Sequence, residues 1–155
     1  MTDRLDQIET LHRLRAREVD RQTRAVAAAV AASERAADEL ARAEQHRQKA
    51  VETLDRARFD RARSPADDCI RYFVDACEAR LADAQALFAK AREAFDRACE
   101  HVFAARRIWL RAQGRYEALG RLLHQIRMKQ RRGADRRAAD EANDRAATTQ
   151  RMMMA

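Results

Sequence analysis

Apolar residues recur along this chain at alternating steps of three and four. Steps of seven from Val74 meet Val74, Leu81, Phe88, Phe95, Val102, Trp109, Tyr116 and Leu123. Steps of seven from Cys77 meet Cys77, Ala84, Ala91, Ala98, Ala105, Ala112, Leu119 and Ile126. Bulky residues therefore hold the a positions of a heptad, and small residues hold the d positions until the last two steps. Such a sustained spacing specifies a left-handed coiled coil. The first part of the chain follows the same logic with more interruptions. Its a positions are Leu5, His12, Val19, Val26, Ser33, Leu40, Arg47 and Leu54; its d positions are Ile8, Arg15, Gln22, Ala29, Ala36, Ala43, Ala50 and Ala57.

The single proline, Pro65, follows Ser64 and precedes Asp67 and Asp68. Ser is a preferred N-cap, Pro suits the first helical position, and acids in the first turn suit the helix dipole. The pattern predicts one helix over about 3–62, a turn at 62–65, a second helix over about 65–148, and a frayed tail at 149–155. In an antiparallel pair the a residues of one helix layer with the d residues of the other, so each layer over 29–57 joins a bulky side chain to an alanine, except at Ser33 and Arg47. A register in which paired residue numbers add to 131 sets Ala43 beside Phe88, Leu40 beside Ala91, Ala36 beside Phe95 and Val26 beside Ala105. A register one heptad shorter also satisfies the pattern. A parallel dimer would stack Phe on Phe and Ala on Ala, leaving gaps at each alanine layer.

The expected fold is all-α: a single long antiparallel two-helix coiled-coil hairpin over 1–155, with the C-terminal part of helix 2 overhanging as a single helix. At 1.5 Å per residue the helices would run roughly 90 and 125 Å. Gly114, Gly120 and Gly133 are weak points, each worth about 1 kcal/mol against Ala.

Composition agrees: 3 Gly, 1 Pro and 5% aromatics against 37% charged residues in 155, the profile of long helices more than of a globular core. Net charge is +7, and its distribution is uneven. Residues 1–24 carry 6 basic and 5 acidic side chains, 25–105 carry 13 and 15, 106–132 carry 9 and 1, and 133–155 carry 4 and 4. The cations of the third segment are Arg106, Arg107, Arg111, Arg115, Arg121, Arg127, Lys129, Arg131 and Arg132. They occupy several outer heptad positions and so ring the helix pair. They are either a solvated surface or a contact for an acidic partner.

No catalytic constellation stands out. The four histidines are scattered and no glycine-rich phosphate loop exists, so no enzyme activity and no cofactor is expected. Cys69, Cys77 and Cys99 form no metal pattern; Cys77 falls on the seam as a small core residue, and reduced thiols fit a cytoplasmic location. The sequence has no apolar run long enough for a transmembrane helix and no signal-peptide core near Met1. Trp109 and Tyr116 are a positions, expected to pack against Gln22 and Arg15. Near the turn, Phe59 and Tyr72 fall off the seam beside Ile70 and Phe73. This cluster is either a docking site or the hairpin's own plug.

The architecture, the Phe73-Val74 pair early in helix 2, the Arg107-Ile108-Trp109 stretch, Tyr116-Glu117-Ala118-Leu119 and the closing Asp140-Glu141-x-x-Asp144 resemble the FliJ/YscO family of type III secretion. The Ala and Arg richness is closer to an injectisome member than to a flagellar one. The three glycines of helix 2 depart from a stiff stalk. The resemblance implies a central stalk of the hexameric secretion ATPase, similar in shape to the gamma-subunit coiled coil of rotary ATPases. It would lie in the cytoplasm, peripheral to the inner membrane at the secretion apparatus. The nine cations above, with residues 4–24, would enter the ring, and the tip at Ile70, Tyr72, Phe73 and Val74 would face the export-gate protein. Secretion chaperones would be further partners. Two other readings compete: a basic coiled-coil arm for nucleic acid, disfavoured by the acids interspersed outside 106–132, and a generic coiled-coil scaffold.

Overall fold

A computed structural model describes residues 2–153, with the side chains of residues 4–150, 152 and 153. Two helices, α1 (Thr2–Arg63) and α2 (Asp68–Met153), pack against each other as a helical hairpin. Ala, Arg, Leu and Glu are strong helix formers, so both elements are favoured locally along most of their length. Several outward pairs add to this in the favourable order, Glu before Arg one turn on: Glu93–Arg97 at 3.7 Å, Glu117–Arg121 at 3.9 Å and Glu141–Arg145 at 3.8 Å.

α1 ends at Arg63, one residue past the expected end, and α2 starts at Asp68, three residues after the expected 65. Ser64 opens a β-turn: its carbonyl accepts the Asp67 N–H at 3.2 Å, with Pro65 in the second place, where its fixed φ fits. The capping role falls to Asp67. Its Oδ1 accepts the backbone N–H of Cys69 at 2.8 Å and of Ile70 at 3.4 Å, while its carbonyl accepts the Arg71 N–H at 3.2 Å. Both Ser64 and Asp67 are good caps, but a cap at Ser64 would leave too little chain for the reversal. No described residue has a positive φ, so the turn needs no glycine. At the other end, α2 continues helical through the expected frayed tail to Met153; residues 154 and 155 lie outside the described residues. Thr148 and Thr149 donate their hydroxyls to the carbonyls of Asp144 and Arg145, four residues back. From 134 onward every described side chain is exposed, the single-helix overhang expected from the shorter first helix.

The chain divides into two compact units, one from Gln22–Trp109 and one from Met1–Arg21 with Leu110–Ala155. In the first of these, Leu54, Ala57, Val74 and Cys77 form one buried cluster with Leu81 against it. Leu54 with Cys77, and Ala57 with Val74, are pairs whose numbers add to 131, so this cluster fits the register of that sum. Ala84 is fully buried, and Phe88, Ala91, Phe95, Ala98 and Ala105 are half-buried along the same stripe. The two interruptions in α1 are accommodated at the edge. Arg47 lays its guanidinium 5.1 Å from the Phe88 ring centroid and binds both carboxylate oxygens of Glu44, at 2.8 and 2.6 Å. Its stem covers apolar surface while its charge stays near water. Ser33 returns its hydroxyl to the Val30 carbonyl at 2.8 Å. Trp109 faces α1, as expected, and its Nε1–H donates to Thr23 Oγ1 at 3.0 Å.

In the other unit Ala112 and Leu123 are buried, and Leu5, Ile8, Leu119 and Ile126 are half-buried. The polar seam residue His12 stacks on Tyr116, with ring centroids 4.5 Å apart and planes 19° apart. Gly120 lies against this ring: a Cβ built there would meet His12 Nε2 at 3.4 Å, close van der Waals contact. The guanidinium of Arg15, the residue expected opposite Tyr116, is held by Glu18 on its own helix.

Candidate partner-binding surfaces

Heptad geometry decides which α2 residues can be touched. In an antiparallel pair the e positions of both helices share one edge of the seam, and the g positions share the other. In the unit formed by Met1–Arg21 and Leu110–Ala155, the e edge is closed by charge: Arg127 donates to Glu9 at 2.8 Å. The g edge brings Arg115 to Glu18. The hydrogen bond from Arg15 holds the Glu18 carboxyl below its ordinary value, and the nearby charges of Arg115 and Arg21 add to this.

The expected cations of this unit, Arg111, Arg115, Arg121, Arg127, Lys129, Arg131 and Arg132, are all exposed. They lie on heptad positions b, c, e, f and g of α2, so they cover its outward faces and both edges of the seam. Arg121 pairs within its helix with Glu117, and Arg127 pairs across to Glu9. Surface pairs of this kind hold their cations weakly, at ~0–1 kcal/mol. Among the described residues, no ion pair within 4 Å engages Arg111, Lys129, Arg131 or Arg132. Arg106 and Arg107 belong to the other unit and are exposed there.

The turn residues separate into two kinds. Val74, expected at the docking tip, is 1% exposed and sealed in the seam with Leu54, Ala57 and Cys77. It supports the tip from beneath and offers no surface. Tyr72 is 66% exposed, Phe73 48% and Phe59 63%, while Ile70 is half-buried. Arg71 lies over the Tyr72 ring at 5.3 Å and Arg63 over Phe59 at 5.8 Å. An open depression of about 480 Å³ lies beside them, bounded by Asp60, Arg63, Cys69 and Phe73. The aromatic cluster thus stands largely outside the hairpin's own packing, as a docking surface requires.

Sequence reasoning passed over a third group. Leu11, Leu14, Leu122, Ile108, Leu110, Phe103 and Leu87 are all more than two-fifths exposed. The signal was present, since leucines at heptad positions b, c and g serve no two-stranded seam.

Among the described residues, no group of three His, Cys, Asp or Glu side chains is placed to hold a metal ion, and no helix is long and apolar enough to cross a membrane. All three thiols are free, Cys77 buried on the seam as expected. No family model, curated protein or solved structure matches the chain.

Proposed function

We propose that this chain is a non-catalytic stalk protein of a bacterial type III secretion system, of the FliJ/YscO kind. It works in the cytoplasm at the inner membrane, binding the hexameric secretion ATPase through its basic segment and the export gate through the turn, with secretion chaperones as further partners. The observation that carries this reading is the concentration of exposed, mostly unengaged cations between Arg111 and Arg132, on the outward faces of α2 and both edges of the seam. A helical pair that carries this much positive charge on one helix suits an acidic surface such as the wall of an ATPase pore, and opposite charge steers it there. The exposed Phe59, Tyr72 and Phe73 supply the apolar anchors that a second partner needs.

The test is hydrolysis by the secretion ATPase from the same cell, with and without this protein. The native chain raises turnover; the variant with Arg111, Arg115, Arg121 and Arg127 all changed to Glu does not, while circular dichroism shows it equally helical. Stimulation that survives charge reversal rejects the reading. A mobility shift of nucleic acid that weakens steeply with salt, without any effect on the ATPase, favours a nucleic-acid arm in its place.

A further inference from the structure

The two edges of the Met1–Arg21/Leu110–Ala155 unit differ in kind. The e edge is closed by the Glu9–Arg127 ion pair. On the g edge, at the matching level, stand two leucines: Leu11 of α1 at 41% exposure and Leu122 of α2 at 42%. Leu14, at 54%, and the exposed Ala118 extend this apolar strip by one turn on each helix. A depression of about 350 Å³ on α1 adjoins the strip, lined by Leu11 and Leu14 with Asp6, Gln7 and Thr10. Leucines at g and c are what a helix presents when a third helix lies along the groove, since those positions border a seam that two helices leave open.

Charge selects the occupant. Beyond one end of the strip lie Arg4 and Lys129, which are g positions; beyond the other lie Arg111 and Arg115, at c and g. Glu18 is the carboxylate at this second end, and it is already held by Arg15 with Arg115 nearby. An isologous contact with a second copy would set these cations against their own counterparts. We infer that this groove binds an amphipathic helix whose apolar stripe covers Leu11, Leu14, Ala118 and Leu122 and whose flanking carboxylates meet the cations at both ends. The partner segment is acidic and leucine-bearing, and it adds a third strand to the pair. This goes beyond the stalk reading and stands without it, because the groove is defined by its own apolar and charged residues whatever assembly supplies the helix.

The experiment uses the full chain and a fluorescent synthetic helix of about three heptads, with Leu at a and d and Glu at the outer positions, alongside a twin carrying Lys for Glu. Anisotropy reads binding. The acidic helix binds; its affinity falls at least about tenfold in the variant Leu11→Ser, Leu14→Ser, Leu122→Ser, which alters only half-exposed side chains and keeps its helicity. The variant Arg111→Gln, Lys129→Gln weakens binding at low salt, and the difference closes at high salt. Failure of the acidic helix to bind, equal binding of the Lys twin, or indifference to the leucine changes overturns the inference. So does leucine-dependent self-association in sedimentation, which assigns the groove to a second copy. Leucine-dependent capture by vesicles of anionic phospholipid, with no peptide binding, assigns it to a membrane surface and overturns the inference equally.

Discussion

The two units of this hairpin close the same heptad seam by different means. In Gln22–Trp109, most layers join one bulky residue to one small one, and Leu54, Ala57, Val74, Cys77 and Ala84 are almost completely removed from water. In Met1–Arg21 with Leu110–Ala155, α1 contributes His12 and Arg15 to the seam. Closure there comes from the His12–Tyr116 stack seated at Gly120, and from Glu9–Arg127 at the edge. Among the described residues of this second unit, only Ala112 and Leu123 are buried. Dry, volume-matched packing is strong and indifferent to salt. A stack and surface ion pairs are weaker and leave charge available to a partner. The first unit is thus the more firmly built, and the second carries the surfaces that would answer to another molecule.

This contrast can be broken most severely at Leu54. Leu54→Ala opens a cavity beside Val74 and Cys77 and should cost about 2–5 kcal/mol in chemical denaturation; a loss under 1 kcal/mol would mean the cluster is not close-packed. Next is the converse change. Ala84→Leu inserts bulk where there is none to spare and should cost about 1–3 kcal/mol, whereas Ala118→Leu, on the exposed strip of the other unit, should stay within about 0.5 kcal/mol. Equal effects at the two positions would erase the distinction between units.

The glycines sharpen it further. Gly114 has nothing within 4 Å of an added Cβ, so Gly114→Ala should raise stability by about 1 kcal/mol through helix propensity alone. Gly120→Ala should gain less, because the added carbon meets the His12 ring. The smallest effect concerns acid. Glu18 and Glu44 are both held below their ordinary value of 4.5, Glu18 by Arg15 first and Glu44 by Arg47 first. A carboxyl with a depressed folded pKa contributes stability above its unfolded value, and that contribution is lost as pH falls through the folded one. Only Glu18 draws on the opposite helix, through Arg115. In an NMR titration, Arg115→Gln should raise the Glu18 pKa and leave Glu44 where it was.

Much of this was readable before any coordinates. The heptads from Val74 and Cys77 name every buried α2 residue, because a seam repeats regularly and alanine opposite a bulky residue permits one strand direction. The basic segment was equally plain, since charge needs only counting. The start of α2 reads three residues early because Ser64 and Asp67 are both competent caps, and the choice depends on how much chain the reversal consumes. Gly120 read as a weak point; that it receives the His12 ring depends on the residue across the seam, which no local rule supplies. Leu11, Leu14 and Leu122 went unremarked because a search along a and d looks past leucines on the edge of the stripe.

The antiparallel, alanine-matched register is what every surface assignment stands on, and a cross-link tests it directly. In a chain with Cys69→Ser and Cys99→Ser, Leu54→Cys should form a disulfide with native Cys77, within a monomer, at high dilution under mild oxidation. Arg47→Cys and Arg61→Cys, one heptad away on either side, should not. Cross-linking from either of those positions, or only between chains, would contradict the register and the surfaces built on it.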